Sequence, residues 1–427
     1  MTIPQDILDY KLQHWLFHQI DNLPLEQRLK LKSIRRCSTK PIPTKGEKPA
    51  VYLMSNGVTA KFFGHMTCKN PWACPVCTAR VMSKYRSEIA TMLDMLRDKK
   101  IAGDDFFAIG LTLTIPHLAY MKCKESTDIL YNTWKYFTMK NFKREHGHAY
   151  HKFNQEIPIK FKVRVAEYTF GKNGWHPHFH CILWIERKNK DKVLDWQEKL
   201  NEFWLKCAKK YTLKYWKENN LHTNIDTSLE DLCDKLYSKL NNKHPAVKFS
   251  TNENGEILEC LSSDYITGWG SDKELTGNIR KEASHSDHYT VYQVMLKAQD
   301  DEKYKDIFMD YLFDVTRKPV HHRVRRSPGL TKMIKNYRNT EGFKKVIEQK
   351  KTEDWRIILF FDSQQWSSLC YDFKNVPVLE NILYLALKNV NLLYEYLDSL
   401  NVSYYLPIKN NFLQSIEDMF NHKSAAG

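Results

Sequence analysis

The sequence predicts an α+β protein: an antiparallel β-sheet core with flanking helices, an N-terminal cysteine module and a mostly helical C-terminal region. Three observations carry that expectation. Lys160–Phe170 (KFKVRVAEYTF) and His176–Ile185 (HPHFHCILWI) are β-rich runs joined by GKNGW, the pattern of a hairpin. Cys68, Cys74 and Cys77 crowd a Lys-, Pro- and Gly-rich stretch without helical periodicity. Elsewhere apolar residues recur at helical spacing, as in Val81, Met82, Tyr85, Ile89, Met92, Leu93 and Leu96.

Along the chain, residues 1–30 read as one or two short amphipathic helices and 31–78 as a compact loop-and-hairpin module. A helix is predicted over 78–96, a strand over Phe106–Ile115 ended by Pro116, and a helix over 126–145. After the hairpin, 191–217 and 228–241 read as helices, 246–260 as a strand pair around Asn252-Glu253-Asn254-Gly255, and 262–268 and 289–300 as helices. Residues 317–326 are basic and non-periodic, and the tail after 350 is mostly helical. The expected division is 1–100 for the N-terminal helices and cysteine module, 101–300 for the sheet domain, 301–350 for a basic segment and 351–427 for a helical accessory region.

The 427 residues are 42% hydrophobic and 27% charged, a globular composition. No run of about 18 apolar residues suggests a membrane span, and MTIPQDILDYKLQHW lacks the basic flank and apolar stretch of a signal peptide. A soluble cytoplasmic protein with no membrane partner is expected. The net charge of +15 is uneven: residues 351–427 hold 6 basic against 9 acidic groups, so the first 350 carry +18. That balance suits a polyanion binder, although a solvated lysine-rich surface gives the same count.

His176-Pro177-His178-Phe179-His180 places imidazoles at every second position, so on a strand all three share one face. Phe179, Cys181 and Leu183 then face the other way. If the hairpin loop is even, Glu167 and Thr169 join the histidine face, with Glu167 opposite His178 or His180. Imidazoles beside a carboxylate suit a divalent ion such as Mg²⁺ or Mn²⁺. The competing reading is a surface histidine patch with Glu167 as its ion-pair partner. His117, His285 and His288 read as plain surface residues.

HPHFH resembles the metal motif of the HUH endonucleases. RVAEYTFGKNGWHPHFHCILWI and the strand FFAIGLTLTIPH resemble in particular their plasmid rolling-circle replication initiators, over about Arg36 to Lys335. The resemblance implies an HUH nicking and joining domain at 101–300 and makes His178 and His180 metal ligands. Glu167 as a third ligand follows from strand parity, with His176 as the alternative. Asp264-Tyr265-Ile266-Thr267-Gly268-Trp269-Gly270 resembles the family's Tyr-Val-Thr-Lys-Trp-Gly signature and implies Tyr265 as nucleophile, with Tyr289 and Tyr292 as rivals. The signature's lysine is Gly268 here, and the glutamate some members carry one turn earlier is Leu261; Lys273 and Lys297 lie nearby in sequence. A tyrosine suits reversible cutting, because a phenol with a pKa of about 10 leaves more readily than an alkoxide.

Cys74-Pro75-Val76-Cys77 is a tight knuckle, and with Cys37 and Cys68 it offers four thiolates for a closed structural zinc site; a buried thiol cluster is the bland alternative. The run TCKNPWACPVCTAR also resembles the initiators' cysteine module, which is expected to brace the DNA-binding region or to touch DNA through Lys69, Arg80 and their neighbours. Arg317, Lys318, Arg323, Arg325 and Arg326 form the densest basic stretch, read as DNA-binding or as a charged surface loop. The expected function is initiation of rolling-circle replication of a bacterial plasmid: nicking one origin strand to leave a 5′-phosphotyrosine and a free 3′-OH. The expected partners are double- and single-stranded origin DNA and the host helicase and polymerase. A single-tyrosine transposase or relaxase would share the site. A non-catalytic zinc-dependent DNA-binding regulator would explain the charge and cysteines alone, and a metallo-hydrolase of another substrate only the histidines.

Overall fold

A computed structural model describes residues 4–43, 48–98, 103, 105–138, 149–222, 227–238, 245–262, 288–316, 323–340, 355–372 and 377–407. Its strands are β1 (Ala50–Ser55), β2 (Ala60–Phe63), β3 (Phe106–Thr114), β4 (Phe161–Gly171), β5 (Gly174–Glu186), β6 (Val247–Phe249), β7 (His288–Thr290), β8 (Val324–Arg326) and β9 (Arg356–Asp362). They build two antiparallel sheets surrounded by helices, so the α+β expectation holds. No helix among the described residues is long and apolar enough to cross a membrane.

The chain divides into two compact units, 1–79 with 345–427 and 80–344. This differs from the expected boundaries at 100, 300 and 350, because the tail is not a separate helical region. Arg356–Asp362 (RIILFFD) forms β9 and pairs with β1 from Ala50↔Asp362 to Ser55↔Arg356, completing the order β2-β1-β9. A lone β1–β2 hairpin would be marginal, and a third strand with an apolar face stabilises it. Phe361 and Trp366 are fully buried there beside Phe62. The helices Ser363–Asp372, Val378–Lys388 and Val390–Ser399 follow β9.

The second unit holds the larger sheet, ordered β6-β3-β5-β4-β7, with β8 on the same edge of β4 as β7. The predicted hairpin is β4–β5, closed by Lys172 and Asn173 between the paired Gly171 and Gly174. Gly174 has φ +83°, and a Cβ there would stand 2.7 Å from the Ala119 carbonyl oxygen, so both conformation and space demand glycine. The predicted turn at 252–255 is present, with the Asn252 side chain accepting from the backbone N–H of Asn254 and Glu256. The helix expected over 289–300 begins instead with β7; Thr290 then caps Val291–Lys297 through a capping box with Gln293. The helix expected over 126–145 is Cys123–Phe137, and Ala149–Glu156 forms another. The helix expected at 262–268 lies outside the described residues but for Ser262.

Strand alternation gives this sheet two apolar faces. On one, Phe106, Ala108, Val163, Val165, Ile182 and Trp184 pack under Ile89, Met92, Leu93 and Leu96 of the helix Pro75–Arg97 and under Leu330 and Ile334 of Pro328–Arg338. On the other, Phe179 is fully buried against Tyr131 and Trp134 of the helix Cys123–Phe137. Both faces are therefore core along most of β4 and β5, and the histidines occupy the end where the first cover stops.

Candidate metal centres

Register decides which side chains meet. Glu167 pairs directly with His178, and Thr112 and Thr114 of β3 pair with His180 and His178. Directly opposed residues share a face, so the strand parity inferred from an even loop is observed. Glu167 Oε2 lies 2.8 Å from His178 Nε2 and 2.7 Å from His180 Nε2, and the two nitrogens are 3.1 Å apart. These three groups could hold one metal ion. Adjacent ligands at about 2.1 Å from an octahedral ion stand about 3 Å apart, which matches this triangle.

The imidazoles are fixed from behind. His178 Nδ1 lies 3.2 Å from the carbonyl oxygen of His176, which can only accept, so Nδ1 carries the proton and Nε2 is the lone pair in the neutral ring. His180 Nδ1 lies 3.1 Å from Thr112 Oγ1. Two imidazole lone pairs and a carboxylate oxygen facing one another repel unless a proton or a cation sits among them. Burial by itself would raise the Glu167 pKa; with protons on the imidazole Nε2 atoms, the His178 charge and the hydrogen bonds from His178 and His180 outweigh it and hold the carboxyl well below the usual carboxylate range, and a cation in their place would act in the same direction.

His176 does not converge with the other two. Its Nε2 lies 2.7 Å from Thr114 Oγ1 and its Nδ1 2.8 Å from His117 Nε2. Burial, then the positive charges His178, His117 and His288 would carry, push its pKa well below 6.5. His117 and His288 are accordingly part of this histidine group and not plain surface residues. Sequence reasoning missed Thr112 and Thr114 as positioning residues. The signal was there: in Leu111-Thr112-Leu113-Thr114 the leucines are buried and the threonines alternate onto the histidine face.

The nucleophile candidates fare differently. Tyr265 and its motif lie outside the described residues. Tyr289 pairs with Phe170, whose ring packs on Trp175, so it stands on the face opposite the donors, where it meets Tyr304 and Lys297. Tyr292 is buried in the helix Val291–Lys297.

The second centre lies wholly within 1–79. Cys37 follows the helix Lys32–Arg35, Cys68 follows β2, Cys74 precedes the helix Pro75–Arg97 and Cys77 sits in its first turn. Cys37 Sγ is 3.3 Å from Cys77 and 3.6 Å from Cys74, and Cys68 Sγ is 3.4 Å from Cys77. The four could hold a metal ion. A tetrahedral zinc with Zn–S of about 2.3 Å has S–S edges of about 3.8 Å, near the spacing found. The Cys68 backbone N–H donates to Cys37 Sγ and the Gln13 amide to Cys74 Sγ, and a helix N-terminus beside Cys74 and Cys77 also favours thiolate. Burial pushes the Cys74 thiol up, so ionised sulfur here needs a cation.

The basic stretch is not a free surface row. Arg317 and Lys318 lie outside the described residues. Arg323 is buried because β8 joins β4, with the Ala166 N–H donating to the Arg323 carbonyl. Arg326 is held by Glu88 at 2.7 Å, and Arg325 is exposed. The sequence and structure together define an α+β protein with a Glu–His–His donor triad on one sheet and a four-cysteine cluster beside another. No family model, curated protein or solved structure matches this chain.

Proposed function

We propose that the chain is a metal-dependent single-strand DNA endonuclease and strand transferase that initiates rolling-circle replication of a bacterial plasmid from the cytoplasm. The observation that carries this reading is the convergence of Glu167 Oε2, His178 Nε2 and His180 Nε2 within 2.7–3.1 Å on an antiparallel sheet. The +18 charge of the first 350 residues and the Tyr265 motif support it. Mg²⁺ or Mn²⁺ held by the triad would supply positive charge against a non-bridging phosphate oxygen. Thr112 and the His176 carbonyl keep both imidazole Nε2 atoms aimed at that point, and Glu167 lowers the cost of gathering charge there. The Tyr265 oxygen attacks the phosphorus, the P–O3′ bond breaks, and the phenol proton passes through solvent to the 3′ oxygen. The products are a 5′-phosphotyrosine and a 3′-OH that a host polymerase extends behind a host helicase. Attack of a 3′-OH on the phosphotyrosine reverses the step and rejoins the strand. The cysteine cluster takes a structural Zn²⁺, since four sulfurs leave no position for chemistry.

The experiment is to incubate the protein and Mn²⁺ with single-stranded oligonucleotides tiled across the DNA flanking its gene. A nicking enzyme leaves a protease-sensitive protein–DNA adduct that Tyr265→Phe abolishes while binding survives. A zinc-dependent DNA-binding regulator gives only a salt-sensitive shift. A relaxase or transposase would give the same adduct at transfer origins or element ends.

A further inference from the structure

The sheet face opposite the metal donors carries cations that the nicking chemistry leaves unused. Arg164 of β4 is only 4% exposed, yet no hydrogen bond or ion pair reaches its guanidinium among the described residues, and its Nε is buried without a partner. Three rings hold it: the guanidinium carbon lies 4.2 Å from the Phe179 centroid and 5.0 Å from those of Tyr131 and Trp134. Contact with aromatic rings supplies no hydrogen-bond acceptor, so the N–H donors of the guanidinium remain open to one. A buried cation in that state is costly.

The neighbouring strand adds to the cost. Arg164 pairs directly with Arg325 of β8, and like charges opposed across a ladder repel. Burial, together with the charge of Arg325, lowers the Arg164 pKa. Arg325 is exposed, and Lys162, two residues along β4, lies 5.6 Å from the Trp134 ring on the same face. Two guanidinium groups thus stand in register across the β4–β8 ladder, that of Arg164 beside the buried Phe179 ring and the partly buried Tyr131 and Trp134.

We propose that Arg164 and Arg325 form a receptor for a phosphate group on the sheet face opposite the metal donors. Guanidinium forks match the oxygens of a tetrahedral oxyanion bidentately. A phosphodiester of a nucleic-acid strand and the free phosphate of a small molecule present the same chemistry, and the test separates them. The receptor does not depend on the nicking reading, because every measurement is of binding without added Mg²⁺ or Mn²⁺.

The full chain, Arg325→Gln and Arg164→Met are compared in two ways: thermal midpoint with inorganic phosphate against chloride at matched ionic strength, and affinity for an oligothymidylate strand across a salt series. Phosphate raises the midpoint of the unaltered protein and leaves both variants unmoved. If a strand is the occupant, oligonucleotide affinity also falls several-fold in each variant, and the slope of log Kd against log salt drops by about 0.7 per lost contact. If a small phosphate is the occupant, strand affinity stays unchanged. Should Arg164→Met fail to fold, Arg325→Gln decides alone, its side chain being exposed. Variants that keep both the phosphate response and the strand affinity of the unaltered protein overturn the proposal.

Discussion

Thr112 Oγ1 stands 3.1 Å from His180 Nδ1, so a hydroxyl on β3 sets the ring orientation of a ligand candidate on β5. Thr112→Val keeps shape and β-propensity but removes that partner. Loss of such an outer hydrogen bond costs 10–100-fold in metal affinity. Titration calorimetry with Mn²⁺ should show a loss of that size with an unchanged thermal midpoint. Unchanged Mn²⁺ affinity would remove Thr112 from the site.

The register places Tyr289 across the sheet from Glu167, His178 and His180. Tyr289→Phe should therefore form the DNA adduct at the unaltered rate, whereas Tyr265→Phe should form none. Adduct formation is read on a denaturing gel. The reverse pattern would reassign the nucleophile and contradict the strand parity.

Cys77 Sγ lies within 3.4 Å of both Cys37 and Cys68. Cys77→Ser should yield protein with no zinc at this centre, measured by elemental analysis, where the unaltered chain should carry one ion. Because binding energy at a structural zinc is folding energy, of order 10 kcal/mol, the variant should also lose the cooperative melting of the unit 1–79 with 345–427. A fully folded, zinc-free variant would return the cluster to a set of buried thiols.

Glu380 is 7% exposed on the helix Val378–Lys388, with His14 3.8 Å away. Burial raises its pKa above the usual 4.5, partly opposed by its own backbone N–H and by His14. A carboxyl raised on folding destabilises the ionised protein; that cost is full above the folded pKa, fades as pH falls through it and is gone below about 4.5. Glu380→Gln should thus raise the thermal midpoint at pH 7 and leave it unchanged near pH 4. A midpoint lowered at pH 7 would mean the His14 contact outweighs burial.

Gly174 closes the hairpin that carries the triad. Gly174→Ala adds a residue at φ +83° with its Cβ against a backbone oxygen, so a cost of at least about 1–2 kcal/mol is expected in chemical denaturation. Since the turn fixes the register, Mn²⁺ affinity should fall with stability. A neutral substitution would show that β4 and β5 hold register without the turn.

The hairpin, its two faces and the place of Glu167 on the histidine face were legible because strand alternation has a period of two, whereas the register decided between His178 and His180 as its direct partner. The cysteine cluster was legible because thiols in that spacing serve few other ends. Two assignments were not. RIILFFD is apolar at nearly every position, so its period cannot tell helix from strand, and only the open edge of β1 made it β9. RKPVHHRVRR displays its charges equally, yet pairing of β8 with β4 buried Arg323, tied Arg326 to Glu88 and set Arg325 opposite Arg164.

By itself, then, the sequence determined which side chains share a face and which chemistry they offer, because those depend on local periodicity and residue type. Tertiary structure alone decided that His178 and His180 point at Glu167 while His176 turns to His117, and that Val324–Arg326, at the end of a basic run, becomes an edge strand. Such outcomes depend on partners far along the chain, whose distance in sequence carries no trace of their distance in space.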